Sequence, residues 1–286
     1  MRICRGTVLL VASLSLNGCI SFDTVVKVNP DGSGQVVQTT LMSKVMVQQL
    51  STMLQAMTEQ LSADSSGSKA PPEFFGEEEA RRRAAQMGEG VTYLSSRKVQ
   101  TDRFEGIEAV YAFQDINRLQ IDSRPSSPLG EGSDIKFGPS IRKSSTAFKL
   151  SQLDNGNSLL TVRLQGANDN VPHAPTQSSP PNSAKPETQA SPEQVEQFKK
   201  LIEGLRLSLA VEVLGTLVKT NSTYVEGSRV TLMEMEFAEL LSNEPKLKEM
   251  ASFKTQSLED AKRLLAGLKG FKVSLDPEIR IEFSSK

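Results

Sequence analysis

Runs of alternating apolar and polar residues, joined in pairs by turn-forming residues, recur along this chain and leave it few folds other than β-hairpins. The first pair is SFDTVVKVNPDGSGQVVQTTLM, in which two runs rich in Val and Thr flank Asn29-Pro30-Asp31-Gly32-Ser33-Gly34. Pro and Asp favour a turn, and the glycines supply backbone conformations that other residues resist. The pattern predicts strands over about 21–28 and 34–42. A second pair, VTYLSSRKVQ and IEAVYAFQ, surrounds TDRFEG and puts Ile107, Ala109, Tyr111 and Phe113 on one face. A third pair, over 146–164, surrounds Asp154-Asn155-Gly156-Asn157, whose Asn-Gly step suits a type I′ turn.

The same signal returns in the last third of the chain. Leu207, Leu209, Val211 and Val213 alternate with polar or small residues over 205–213. TLVKTN and SRVTLMEM read as a hairpin about STYVEG, and GFKVSL and EIRIEF close the chain as two further strands. Between the strand groups the period changes. Over 43–62, Met46, Leu50, Met53, Leu54, Met57 and Leu61 recur every three or four residues, with Gln48, Gln49, Gln55, Glu59 and Gln60 opposite, which predicts an amphipathic helix. A second helix is expected over 76–87, with Ala80, Ala84 and Met87 inward and the pairs Glu77/Arg81, Glu78/Arg82 and Glu79/Arg83 outward. Further helices are expected from Ser191-Pro192, with Val195, Phe198, Ile202 and Leu205 inward, and over 237–250 and 258–269. The fold class that follows is α+β: antiparallel β-hairpins and sheet packed with several amphipathic helices.

Two stretches lack any such pattern. Residues 122–145 are rich in Ser, Pro and Gly and read as a long irregular loop. Residues 166–191 hold five prolines, no aromatic residue and almost no large aliphatic one, so they cannot bury enough surface to offset ordering entropy. They read as a disordered linker or insertion between an N-terminal α+β part, 19–165, and a C-terminal one, 192–286, the two being one domain or two.

The first residues follow a different logic. Arg2 and Arg5 precede an apolar run, GTVLLVASLSL, too short to span a bilayer and long enough for an export signal. The run ends at Leu16-Asn17-Gly18-Cys19, which resembles a bacterial lipobox. In such a motif the thiol is joined to diacylglycerol and the chain is cut before the cysteine. Residues 1–18 are then a lipoprotein signal peptide and Cys19 is the lipidation site. Loss of two positive charges takes the net charge from −1 to −3. Cys4 leaves with the signal, so no thiol remains free. The expected location is the bacterial cell envelope, on the outer membrane or the extracytoplasmic face of the inner membrane.

The residue inventory argues against catalysis. The one histidine, His173, falls in the Pro-rich stretch, and Cys19 is committed to lipid. Ser-His-Asp and Cys-His sets have no members to draw on, a zinc site lacks imidazole and thiolate ligands, and no carboxylate pair stands out. Neither a metal nor another cofactor is expected. Mixed surface charge and a pI near 6.1 argue against nucleic acid as a partner.

The segments VVKVNPDGSGQVVQTTLM and LSLAVEVLGTLVKTNSTYVEGSRVTL resemble the LppM-type bacterial lipoproteins. Gly215, Asn221, Gly227 and Thr231 fit the outline of that family's second segment, while Leu214 and Leu232 replace its Pro and Trp. The resemblance implies a lipid-anchored α+β ectodomain with a link to lipid binding. Two functions are therefore expected. One is a non-enzymatic binding module for a lipid or other apolar ligand, held on the face of Met46, Leu50, Met53 and Met57; the plainer reading of Met46, Met53 and Met57, and the one the pattern favours, is that they pack on the sheet as core. The other is a scaffold docking on another envelope component.

Overall fold

The computed structural model describes residues 19–61, 74–122, 145–164, 204–238, 268, 270–274 and 276–285. Its first hairpin is β1 (Ile20–Val28) and β2 (Gly34–Ser43). The turn between them is held by hydrogen bonds from Gly32 N–H to Asn29 O (3.0 Å) and from Asn29 N–H to Ser33 O (2.8 Å). Gly32 sits at φ +90°. The Asp31 carboxylate accepts from the Ser33 N–H and hydroxyl at 2.9 and 2.7 Å. This is a three-residue loop ending in a left-handed glycine, whose twist matches that of the strands it joins.

The chain continues through α1 (Lys44–Leu61), α2 (Glu77–Gln86), β3 (Thr92–Gln100), β4 (Phe104–Phe113), a 3₁₀ turn at Ile116–Arg118 and β5 (Gln120–Asp122). The next hairpin is β6 (Ser145–Gln152) and β7 (Ser158–Leu164). It repeats the first turn rather than adopting the expected type I′ geometry. Gly156 N–H donates to Leu153 O, Leu153 N–H to Asn157 O, and Gly156 lies at φ +81°. The glycine falls third in a three-residue loop, so one left-handed residue suffices. The two hairpin tips meet: Ser158 Oγ and Gln152 Nε2 both donate to Pro30 O, at 2.9 and 3.0 Å.

The remaining strands are β8 (Leu205–Val213), β9 (Thr216–Thr220), β10 (Val225–Glu226), β11 (Arg229–Glu236), β12 (Phe271–Val273) and β13 (Ile279–Ser284). They form an eight-stranded sheet in the order β10-β11-β8-β1-β2-β4-β3, with β12 on β11, and a five-stranded sheet in the order β5-β6-β7-β13-β9. The larger sheet is mixed, which corrects the all-antiparallel expectation: β1 and β8 run parallel from Ile20↔Leu205 to Val28↔Val213. A parallel pair needs a long crossover, and most of the chain lies between these strands. Each sheet draws strands from both sides of residues 166–191.

One expected hairpin fails, and the last two strands part in the same way. β9 does not pair with β11; it lies on β13 in the small sheet, while β11 pairs with β8, β10 and β12. Likewise β12 joins the large sheet and β13 the small one. Connections that resemble hairpin turns carry the chain from one sheet to the other. Asn221 helps secure one of them, donating through Nδ2 to Glu278 O (2.9 Å) and accepting from Arg280 N–H (2.7 Å).

One buried cluster lies between the sheets. Val26, Val28, Val36, Val211 and Val213 of the large sheet share it with Phe148, Leu160, Val162, Ile279, Ile281 and Phe283 of the small one. Each such side chain contributes roughly 1.5–3 kcal/mol of transfer free energy. Ala80, Ala84 and Met87 add the narrow inner edge of α2, as its pattern predicts. On its outer face Arg81 pairs with Glu77 and Arg83 with Glu79, but Arg82 also reaches Glu79 rather than Glu78. The protein is mostly sheet, with two α-helices among the described residues in place of several. The helices expected after Ser191 and over 258–269, and nearly all of that over 237–250, lie outside those residues, as do 166–191 and most of 122–145. Leu205, read both as the last inward residue of a helix and as the first of a strand, opens β8.

Two predictions follow from this packing. A Cβ on Gly106 would come within 1.9 Å of Thr40 O, a backbone atom that cannot turn aside. Gly106→Ala is expected to cost about 3 kcal/mol in urea unfolding, against about 1 kcal/mol for Gly90→Ala, where only the positive φ is at issue. The second concerns acid. Glu282 accepts from Asn157 and Asn155 at the second hairpin tip, and these bonds lower its pKa below the ordinary 4.5. Asp31 is lowered likewise, by the Ser33 hydroxyl and N–H. Both groups favour folding above the ordinary carboxylate range, and that contribution is lost as pH falls through their folded values. The urea midpoint should therefore drop on acidification below about pH 4.5, and Glu282→Gln should flatten the drop.

Candidate functional site

Cys19 stands half-buried where β1 begins and is bonded into the sheet through its backbone. Its carbonyl accepts from Ser43 N–H at 2.7 Å, and Ile20 N–H donates to Gly204 O at 2.8 Å. Gly204 is required here, because a Cβ would lie 2.1 Å from Cys19 N. Ser43 ends β2 and caps α1, its hydroxyl accepting from Met46 N–H at 3.3 Å. Lys44 N–H donates to Arg103 O at 3.0 Å, which ties the first residue of α1 to the β3–β4 turn. Cys19, the start of α1 and that turn thus occupy one end of the large sheet. Leu16, Asn17 and Gly18 lie outside the described residues.

From that end runs α1. Met46 and Leu50 are half-buried and belong neither to the buried cluster nor to the residues packed against it. No described side chain of α1 is fully buried, and Val45 is 66% exposed. Met53 and Met57 fall on the helix at the expected register, with side chains outside the described set. Among the described residues no helix is long and apolar enough to cross a membrane.

A second place escaped sequence reading. The inner face of the large sheet is apolar where the small sheet covers it, but Thr24, Gln38 and Thr40 carry polar groups onto the same face beside Phe22, Leu207, Leu209 and Met233. With Arg83 from α2 they line a cleft of about 50 Å³. Gln38 Nε2 donates to Thr24 Oγ1 at 3.5 Å, while its buried Oε1 finds no partner among the described residues. The cleft accommodates water, which needs roughly 10–15 Å³ per molecule, but is far below the roughly 300–1,000 Å³ of a ligand pocket. A neighbouring void beneath α2, about 10 Å³, is lined by Tyr111, Glu79 and Arg83. Neither cavity is lined by α1. The signal for the cleft was available: inward positions of β1 and β2 hold Thr and Gln where alternation calls for Val.

Tyr111 is fully buried, edge-on to Tyr93, and its hydroxyl has no partner among the described residues. Burial pushes its pKa up to about 12, with Arg83 opposing. It therefore stays neutral, as a packing group and not an acid–base group. Among the described residues no three His, Cys, Asp or Glu side chains stand together as metal ligands.

The larger sheet and its corner define a mixed two-sheet β protein with a cysteine at the mouth of its central strand. No protein-family model and no curated protein matches the chain. It is similar to the NMR structure of the folded domain of LppM from Mycobacterium tuberculosis, at a TM-score of 0.32 and 8% identity, over 96% of this chain and 95% of that one. That level of similarity transfers no residue and no activity.

The Tyr111 hydroxyl is buried with no partner among the described residues, beside a void of about 10 Å³ at the lower limit for one water molecule, so it is a net cost to the fold. Tyr111→Phe should raise stability by about 1 kcal/mol, whereas Tyr111→Ala should lower it by about 3–5 kcal/mol. Urea unfolding measures both, and a clear loss of stability in the Phe variant would mean that the hydroxyl has a partner.

Proposed function

We propose that this chain is a bacterial envelope lipoprotein, acylated at Cys19, whose ectodomain works by binding rather than by catalysis. The observation that supports the reading is the position of Cys19: the lipobox-like cysteine directly precedes the first described strand, and its carbonyl accepts from Ser43 N–H at 2.7 Å. The apolar run before it supplies an export signal, and several acyl chains hold a protein stably where one does not. The residue inventory supports a non-enzymatic role, since the single histidine lies in the Pro-rich stretch.

What the ectodomain binds is an apolar or lipid surface, presented along Met46, Leu50, Met53 and Met57 of α1. The two clefts lined by described residues, about 50 and 10 Å³, are too small for such a ligand and are not lined by α1. A second reading, a scaffold docking on another envelope component, draws on Leu214 and Val218, 43% and 52% exposed at and beside the outer strand β9 of the small sheet.

Expression of the full chain in a bacterial host, with fractionation and mass spectrometry of the N-terminal peptide, tests the proposal. The expected product begins at Cys19, carries acyl mass and sediments with membranes. Cys19→Ala should leave the protein uncleaved at that site and without lipid. A wild-type chain recovered without acyl mass would defeat the reading.

A further inference from the structure

We infer that Cys19 is lipidated and the chain cut before it only while β8 is still unpaired, so that in this protein acylation precedes closure of the large sheet. This rests on the lipoprotein reading and adds to it an order of events at the same residue.

Three observations carry it. The first is that the cysteine has no tether. A fold held by n flexible residues samples roughly 5–6 Å × √n between anchor and body, and an enzyme in the membrane can grip such a segment after folding. Here Cys19 is followed at once by Ile20, the first residue of β1, and its carbonyl accepts from Ser43 N–H at 2.7 Å. Ile20 pairs with Met42 on one side and Leu205 on the other, and Ile20 and Ser21 are only 3% and 6% exposed. A peptidase holds its substrate extended, through main-chain hydrogen bonds on both sides of the bond it cuts. The groups it needs after that bond are already taken by β2 and β8.

The second is where the reacting atoms lie. A Cβ built on Gly204 would stand 2.1 Å from Cys19 N and 2.7 Å from Cys19 Sγ. The nitrogen of the bond to be cut and the sulfur to be alkylated thus lie against one turn of backbone, the turn that opens β8. In the first step the thiol gives up its proton and its sulfur bonds to the glyceryl carbon of a diacylglycerophospholipid. The phosphorylated headgroup leaves with the electrons of the broken carbon–oxygen bond. In the second step water splits the Gly18–Cys19 amide, leaving a Gly18 carboxylate and a Cys19 amine. Both steps need access to atoms that the folded chain holds against Gly204.

The third is the order in which the chain arrives. Synthesis delivers the N-terminal parts first. β1 and β2 are joined by a short turn, whereas Gly204 and β8 come from the last third of the chain. Until they arrive, β1 keeps a free edge and Cys19 has no neighbour at 204. Once β8 is registered from Ile20↔Leu205 to Val28↔Val213, reaching the cysteine means peeling the start of a central strand from two neighbours at once. Such openings are rare in proportion to the stability of the strands involved.

The experiment uses the full precursor, residues 1–286, allowed to fold and then mixed with bacterial inner-membrane vesicles, which supply phospholipid and processing enzymes. Three chains are compared. One is the wild type. The second carries Leu209→Pro and Val211→Pro, which remove ladder hydrogen bonds and keep β8 from pairing. The third is the wild type with about ten Gly/Ser residues inserted between Cys19 and Ile20, a flexible tether on an otherwise unchanged fold. Circular dichroism and urea unfolding establish which chains are folded. Mass spectrometry of the N-terminal peptide follows acyl mass and cleavage with time.

The expected result is similar processing of the tethered and proline chains, with the folded wild type at least about tenfold slower. The comparison of folded wild type with folded tethered chain decides the matter even where the proline chain aggregates. Wild type processed as fast as the tethered chain overturns the inference and leaves the lipoprotein reading intact. A tethered chain as slow as the wild type also overturns it, because the obstacle is then not the place of Cys19 in the ladder. Failure of all three chains to gain acyl mass overturns the lipoprotein reading and this inference with it.

Discussion

The parallel ladder between β1 and β8 is the constraint on which everything else in this fold depends. Nine residues of the opening strand are registered against nine from the last third of the chain. On one side of this seam lie β2, β4 and β3, and on the other β11, β10 and β12. Without it the large sheet would be two separate pieces, each with an open edge to protect. The entropy of closing so long a loop grows only with the logarithm of its length, so the distance in sequence costs less than its size implies. What makes the closure favourable is β8 itself, where Leu207 to Val211 are buried without interruption. A strand buried on both faces has neighbours above and below as well as at its sides.

That burial also explains what was and was not legible beforehand. Hairpins β1–β2, β3–β4 and β6–β7 were readable because alternation and turn residues are local signals, acting over a dozen residues or fewer. The outward and inward residues of α2 were readable for the same reason. The partner of β8 was not, because its alternating large residues resemble those of a hairpin strand, and Ser208 and Ala210 gave no sign that the second face was also covered. β9 and β11 misled in a similar way. They are separated by a turn-like sequence, yet a bulge at Thr231/Met233 and the clamp of Asn221 on β13 divide them between two sheets. Local patterns specify elements; the choice of partner is settled by long-range burial.

The candidate site divides along the same line. Cys19 and the Met–Leu stripe of α1 were visible as motifs, but their adjacency is a product of the ladder, since only the pairing of β1 with β2 brings residue 19 beside residue 43. The polar cleft of Thr24, Gln38 and Thr40 left its sign in the sequence as polar residues at inward positions, but the three side chains become a cluster only when the register Thr24↔Gln38 and Phe22↔Thr40 is known.

With Cys19 acylated, the absence of a tether turns the fold into a ruler. β1 runs away from the anchor for nine residues, about 30 Å, and the tips at Asn29–Ser33 and Asp154–Asn157 meet at its far end. The small sheet packs towards that end, so it is the part of the protein held farthest from the headgroups. On the proposed lipoprotein reading, the two glycine turns and the outer strand β9 face the aqueous side and the corner at Cys19 faces the lipid. The two clefts lined by described residues, about 50 and 10 Å³, are far below the size of a ligand pocket. A membrane contact and a contact from the aqueous side would therefore fall at opposite ends of one ladder, nine residues long.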